Sequence, residues 1–156
     1  MFRELTRYKQ AITKDQCEEI LKNELRGVLS VIGDDGYPYA FPMNHYYEDG
    51  ILYFHSGSTG HKIDAIKQCD KASFCVIDKG VKDHGSWAFE FKSVIVFGRI
   101  SFIDDHDEAI EISRKLSRKF TSDEGYIDRE ITNFGKSVLC FKLTSEFISG
   151  KTVKES

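Results

Sequence analysis

The stretch Ile51–Lys62, ILYFHSGSTGHK, decides the reading of this chain. Ile51–Phe54 is an apolar run of strand formers. Ser56, Gly57, Ser58, Thr59 and Gly60 follow, a turn of three hydroxyls and two flexible backbone positions. Ile63, Ala65, Ile66 and Cys69 then recur at helical spacing. The pattern is strand, turn, helix. His61 and Lys62 fall in the helix's first turn, where the positive end of the macrodipole disfavours cations. Hydroxyls, open backbone N–H groups, a Lys and a His at one helix start point to an anion site, above all for a phosphate. The same residues also read as a capped helix start whose Lys and His face solvent.

Upstream, Glu48-Asp49-Gly50 turns the chain into this strand. Before it, Tyr37–Tyr47 reads as one strand holding both prolines of the protein, Pro38 and Pro42. Proline cannot donate to a ladder and is confined to strand starts, edges and bulges. The backbone is therefore expected to leave the ladder around Pro42, freeing groups of Met43 and Asn44; an ordinary proline-protected edge is the other reading. Gly33-Asp34-Asp35-Gly36 is a hairpin signal joining this strand to Val28–Ile32. Further back, Thr13-x-x-Gln16 is a capping box, flanked by Ile12 and Cys17 as a hydrophobic staple. It opens a helix over Lys14–Glu24, which Gly27 ends.

Downstream, Ala72–Ile77 is a strand and Asp78–Ser86 a polar loop. Trp87–Ile103 is a long alternating strand with Gly98 as a bulge or bend. Asp105-x-x-Glu108 opens a helix to Phe120 with Ile112, Leu116 and Phe120 as its apolar stripe. Arg114, Lys115, Arg118 and Lys119 read as its solvated face. Thr121–Gly135 reads as irregular, and Ser137–Ile148 is the last strand. The whole is one domain, 1–156, of the mainly β (α+β) class: six or seven strands joined mostly by short turns, plus three helices, a pattern that favours a closed antiparallel barrel with peripheral helices.

A formal net charge of −3 gives no support for a nucleic-acid or membrane-surface role. No apolar run approaches the ~18 residues of a membrane span. The opening MFRELTRYKQ is polar and lacks the apolar core of a signal peptide, so a cytoplasmic protein is expected. Cys17, Cys69, Cys75 and Cys140 are scattered, which fits reduced thiols rather than disulfides or zinc. His55 and His61 lie at no standard metal spacing, so no metal site is expected. A phosphate cradle beside a strand with free backbone groups suits a planar, phosphate-bearing cofactor, with Ser93 on the long strand adding a hydroxyl.

Gly27–Ser30, Gly36–Tyr39, Phe41–Met43, Leu52–Ser56, Gly60–Lys62 and Ser93–Arg99 together resemble the FMN-binding split-barrel family of pyridoxamine 5′-phosphate oxidase, in its 5-nitroimidazole-resistance (Nim-type) branch. Ile148-Ser149-Gly150-Lys151 resembles that branch's ending, so the likeness runs from about residue 5 to 151. It implies a flavin phosphate held by His55, Ser56, Gly60, His61 and Lys62, a ring read by Pro42, Met43 and Asn44, and a further contact from Ser93. It also implies a six-stranded antiparallel split barrel with peripheral helices, and a homodimer with FMN at the interface. The oxidase's Arg and Lys are missing from the ring-reading strand AFPMNHYY, and its C-terminal substrate region has no match. The resemblance therefore implies an FMN-dependent oxidoreductase that reduces nitro groups on small molecules, rather than a pyridoxamine-phosphate oxidase. His55 is the candidate proton donor, because imidazole titrates near neutrality. The alternative is a carrier or sensor without turnover, binding flavin or, through His45, His55 or His84, haem.

Overall fold

Thr13 caps α1 (Lys14–Asn23) as the sequence requires: its hydroxyl accepts from the Gln16 N–H at 3.2 Å, and the Gln16 side chain accepts from the Thr13 N–H at 2.9 Å. The helix buries Cys17, Ile20 and Leu21. Ile12 and Cys17 close over Gly150, where a Cβ would lie 2.8 and 2.6 Å from them. Only a glycine lets α1 settle there. The computed structural model describes residues 1–82, 84–85 and 87–155.

After α1 come β1 (Arg26–Ile32), β2 (Pro38–Asn44), β3 (Tyr46–Glu48), β4 (Ile51–Gly57), α2 (His61–Gln68), β5 (Lys71–Ile77), β6 (Val81–Lys82), β7 (Phe89–Phe102), α3 (His106–Arg118), α4 (Glu124–Phe134) and β8 (Val138–Lys154). One antiparallel sheet runs β2-β1-β5-β7-β8-β4-β3, with β6 paired to β7 outside that path. The sheet curls, and among the described residues no ladder joins β2 to β3, so the barrel is split. Alternation along the strands sends one face inward. Leu29, Leu52, Phe54, Phe74, Val94, Val96, Phe141 and Leu143 fill that interior. Phe54 lies 5.2 Å from both Phe74 and Phe141, ring centre to ring centre.

Gly98 is the bulge: the register of β7 on β8 shifts between Phe97 and Gly98, and a Cβ there would sit 2.1 Å from the Thr144 carbonyl oxygen. The chain bends where no side chain fits.

The split-barrel class holds, with seven strands on the main path rather than six. Tyr37–Tyr47 is two strands, because His45 breaks it. Its side chain is fully buried, and Nε2–H donates to the Leu21 carbonyl at 2.7 Å. That bond to α1 turns the backbone between β2 and β3. Gly27 does not end α1; it lies within β1, where a Cβ would meet the Phe74 ring at 2.5 Å. The loop Asp78–Ser86 contains β6, while Asp83 and Ser86 lie outside the described residues. Thr121–Gly135 holds a fourth helix, α4, whose N-cap Asp123 accepts from the Tyr126 N–H at 2.9 Å.

The basic face of α3 stays partly in solvent, as expected, but its cations are paired. Arg114 pairs with Asp128 and Arg118 with Glu124, both on α4, and Lys115 pairs with Glu48 of β3. The Lys119 ammonium is half-buried and donates to the carbonyls of Glu24 at 2.6 Å and His45 at 2.8 Å. Burial pushes its pKa down to about 8. Among the described residues, no helix is long and apolar enough to cross a membrane.

Candidate functional site

The start of α2 is open in the way the sequence indicates. Gly60 stands at the N-cap with φ 114° and ψ 172°, and no side chain caps the helix. The Gly60 carbonyl accepts from the N–H groups of Ile63 and Asp64, which leaves the earlier first-turn N–H groups directed outward. This start packs on β2. The Lys62 ammonium lies 5.4 Å over the Phe41 ring, and the His61 ring stacks on Tyr39 at 4.2 Å. His61 Nε2 is also 3.7 Å from an Asp34 carboxylate oxygen in the β1–β2 turn. Lys62 therefore remains an available cation, whereas His61 clamps the turn to α2. Ser56 at the end of β4 donates its hydroxyl to the Gly57 carbonyl at 2.7 Å.

The edge of β2 can be read from two bonds. Gly33 N–H donates to the Tyr37 carbonyl, and His45 N–H to the Leu25 carbonyl. In an antiparallel ladder such bonding alternates with period two. Tyr39, Phe41 and Met43 therefore turn their backbone groups toward β1, while Pro38, Ala40, Pro42 and Asn44 turn theirs to the free outer edge. The backbone does not leave the ladder at Pro42, which pairs with Val28 in an unbroken register. Proline is tolerated because its missing N–H would have faced outward. The free edge offers the carbonyls of Pro38 and Pro42, and both N–H and C=O of Ala40 and Asn44. Met43 supplies neither; its side chain lies in the core.

Asn44 and His55 meet across the split. Both line a cavity of about 130 Å³ with Leu116, Ser117, Phe120, Thr121 and Tyr126. His55 projects from the outer face of β4 and keeps an exposed edge, yet the protein around it lowers its pKa by desolvation, so the ring is neutral near pH 7. Arg26 Nε donates to Asn44 Oδ1 at 3.0 Å, and its guanidinium lies 6.0 Å over Phe120. Sequence reasoning missed Arg26, Ser117, Phe120, Thr121 and Tyr126. A signal existed for Tyr126: Asp123 followed by Tyr126, Ile127, Ile131 and Phe134 is a capped amphipathic turn pattern. His45, bonded to Leu21 in the core, is not placed to ligate anything.

Ser93 stands apart from these groups. It lies on β7 between Ile77 of β5 and Lys151 of β8, on the outward face of the sheet. Between the Lys151 and Arg99 rows that face is uncharged, and Phe2 stacks on its Phe97 and Phe147 rings at 5.3 Å. Cross-strand pairing aligns Pro42, Val28, Cys75, Ile95 and Ser149 in one row, and Ala40, Ser30, Ser73, Phe97 and Phe147 in the next. Neither row holds a charged side chain, and Val28, Ile32, Ile77, Ile95 and Phe97 are 37–58% exposed. Among the described residues, no three His, Cys, Asp or Glu side chains converge as a metal site.

A split antiparallel barrel with an uncapped helix start packed on the edge strand β2 defines the class. The chain belongs to the pyridoxamine 5′-phosphate oxidase family, whose model matches residues 13–152. No curated protein sequence matches it. Among solved structures it resembles a protein provisionally described as a 5-nitroimidazole antibiotic resistance protein of Bacteroides thetaiotaomicron, with TM-score 0.76 and 24% identity over 92% of this chain and 87% of that one. An FAD-binding protein of Mesorhizobium loti aligns with TM-score 0.68 and 23% identity over 92% and 97% of the two chains. The flavocytochrome Anf3 of Azotobacter vinelandii aligns with TM-score 0.78 and 19% identity over 96% and 72%. These likenesses establish the fold.

Proposed function

We propose that this protein is an FMN-binding oxidoreductase of the cytoplasm that reduces small nitro-aromatic or similar acceptors, acting as a homodimer with the flavin at its interface. One observation carries the reading: the uncapped, Lys-bearing start of α2 packs against β2, whose outer edge has unpaired backbone donors and acceptors. The first suits a phosphate and the second the polar edge of a flavin ring. Lys62, Ser56 and the N–H groups after Gly60 would hold the phosphate. Ala40, Pro42 and Asn44 would read the ring through their backbone. His61 would help by holding Tyr39 and the β1–β2 turn against α2.

Bound FMN supplies the electron-transfer chemistry, and the chain supplies orientation and proton handling. His55 is the proposed catalytic residue. Its neutral imidazole both accepts and donates a hydrogen bond, and so relays a proton without retaining it. β2 carries no Arg or Lys to hold a substrate phosphate, which argues against pyridoxamine-phosphate oxidation.

The uncharged outer rows of the sheet are the proposed dimer face. An exposed apolar face of this kind marks an interaction surface. In that dimer Ser93 would contribute to the flavin site from the second copy.

The test is FMN uptake by the double variant Ser56→Ala, Lys62→Ala. The expected result is at least tenfold weaker FMN binding with an unchanged melting temperature. Undiminished occupancy refutes the phosphate assignment. Turnover is checked by photoreducing the FMN-loaded protein anaerobically and adding 2-methyl-5-nitroimidazole; flavin absorbance then returns if the protein reduces it.

A further inference from the structure

The cavity at the Asn44–His55 junction has a composition of its own. Leu116 forms an apolar floor, fully buried, and the Phe120 and Tyr126 rings flank the opening. Four polar residues complete the lining: Asn44, His55, Ser117 and Thr121. No carboxylate and no ammonium lines it. Its volume of about 130 Å³ is close to the ~150 Å³ that accommodates a benzene molecule in an engineered protein cavity.

Asn44 orders the polar side of this space. The Arg26 bond fixes Oδ1, which leaves the two Nδ2–H donors of the amide for a ligand. The guanidinium behind Asn44 and over Phe120 adds positive potential without entering the cavity. A ligand atom carrying partial negative charge is favoured there, and a ligand cation is not. The same residue turns its backbone N–H and C=O to the free edge of β2, so the cavity adjoins the edge that the flavin reading assigns to the ring.

We propose that this cavity is the acceptor pocket: it takes one uncharged five- or six-membered ring, with an acceptor oxygen, nitro or carbonyl, on Asn44 Nδ2 and the ring between Phe120 and Tyr126 over Leu116. The proposal rests on the flavin reading for its role in turnover, but not for binding. Specificity then belongs to α4, because Tyr126 enters the site only through the α3–α4 junction that Arg118–Glu124 and Arg114–Asp128 hold together.

The experiment is ligand-observed NMR of nitrobenzene and toluene on the full chain, FMN-free and FMN-saturated. Nitrobenzene is expected to bind both forms about tenfold more tightly than toluene, with intermolecular contacts to the Leu116 methyls. Asn44→Asp should erase the difference between the two probes. Ser117→Phe fills the cavity from a side chain that makes no hydrogen bond of its own, and should remove probe binding while FMN affinity holds. Nitrobenzene binding to an FMN-free chain that never takes up FMN would support the pocket and sink the flavin reading. FMN uptake without nitrobenzene binding, or contacts that avoid Leu116, would overturn the pocket.

Discussion

Gly57 and Gly60 bracket the turn that holds the proposed phosphate site, and they make a matched pair of substitutions. A Cβ built on either meets no heavy atom within 4 Å, so neither Gly57→Ala nor Gly60→Ala creates a clash. They differ in backbone. Gly57 ends β4 in a ladder with Val138 and has no positive φ, while Gly60 has φ 114° and ψ 172°. The latter region is essentially closed to residues with a Cβ and costs on the order of 1–3 kcal/mol to occupy. Alanine at either site also restricts the unfolded chain, which stabilises by about 0.4–1 kcal/mol where the native backbone permits. Gly57→Ala is therefore expected to be neutral or slightly stabilising. Gly60→Ala is expected to lose roughly 1–2 kcal/mol net, or to escape by rotating the turn.

The two responses separate in a paired assay. Urea unfolding of the FMN-free protein reads the stability, and fluorescence titration with FMN reads the site. At roughly 2–4 °C per kcal/mol for a domain of this size, Gly60→Ala should lower the melting temperature by a few degrees. If the turn rotates instead, stability recovers and the first-turn N–H groups of α2 swing away, so FMN affinity falls at least tenfold. Equal stability and equal FMN affinity for the two alanine variants would refute the argument that the Gly60 conformation builds the site.

Two further outcomes follow from the same structure. Ile95→Asp places a carboxylate in the middle of the uncharged outer row, where one protomer leaves the side chain 38% exposed; the chain should stay folded by circular dichroism and sediment as a monomer, and an intact dimer would contradict the proposed face. Burial holds the His45 pKa at about 4, against an ordinary 6.5, so between those values the unfolded chain takes up a proton that the folded chain refuses. Stability is present above pH 6.5 and falls as the pH drops toward 4, by on the order of 3 kcal/mol in all. His45→Gln should flatten that limb in denaturant midpoints measured from pH 4 to 7.

What the sequence disclosed and what it withheld divide along physical lines. Alternation and turn chemistry are local, so Leu52 and Phe54, the Thr13 capping box and the Gly98 bulge were legible before any fold was known. The break at His45 was not, because it depends on a carbonyl 24 residues away on α1. The basic face of α3 was legible as a largely solvated surface, but its partners, Glu48, Glu24, Glu124 and Asp128, become neighbours only after folding. α4 escaped notice although its Asp123 cap and the spacing of Tyr126, Ile127, Ile131 and Phe134 were there to read, because polar residues dominate the segment and only Ile127 of the helix is buried. The site divides the same way. The strand, turn and helix from β4 to α2 are contiguous in sequence and were legible as such. The prolines announced an edge on β2, but which backbone groups that edge frees depends on ladder parity, and parity puts Ala40 in the place of Met43 beside Pro42 and Asn44. His55 and Asn44 were named for separate reasons and share one cavity only because the barrel is split between their strands. Ser93 is the remaining case: it belongs to the site only if a second chain carries it there, so the oligomeric state of Ile95→Asp and its FMN affinity should fail together.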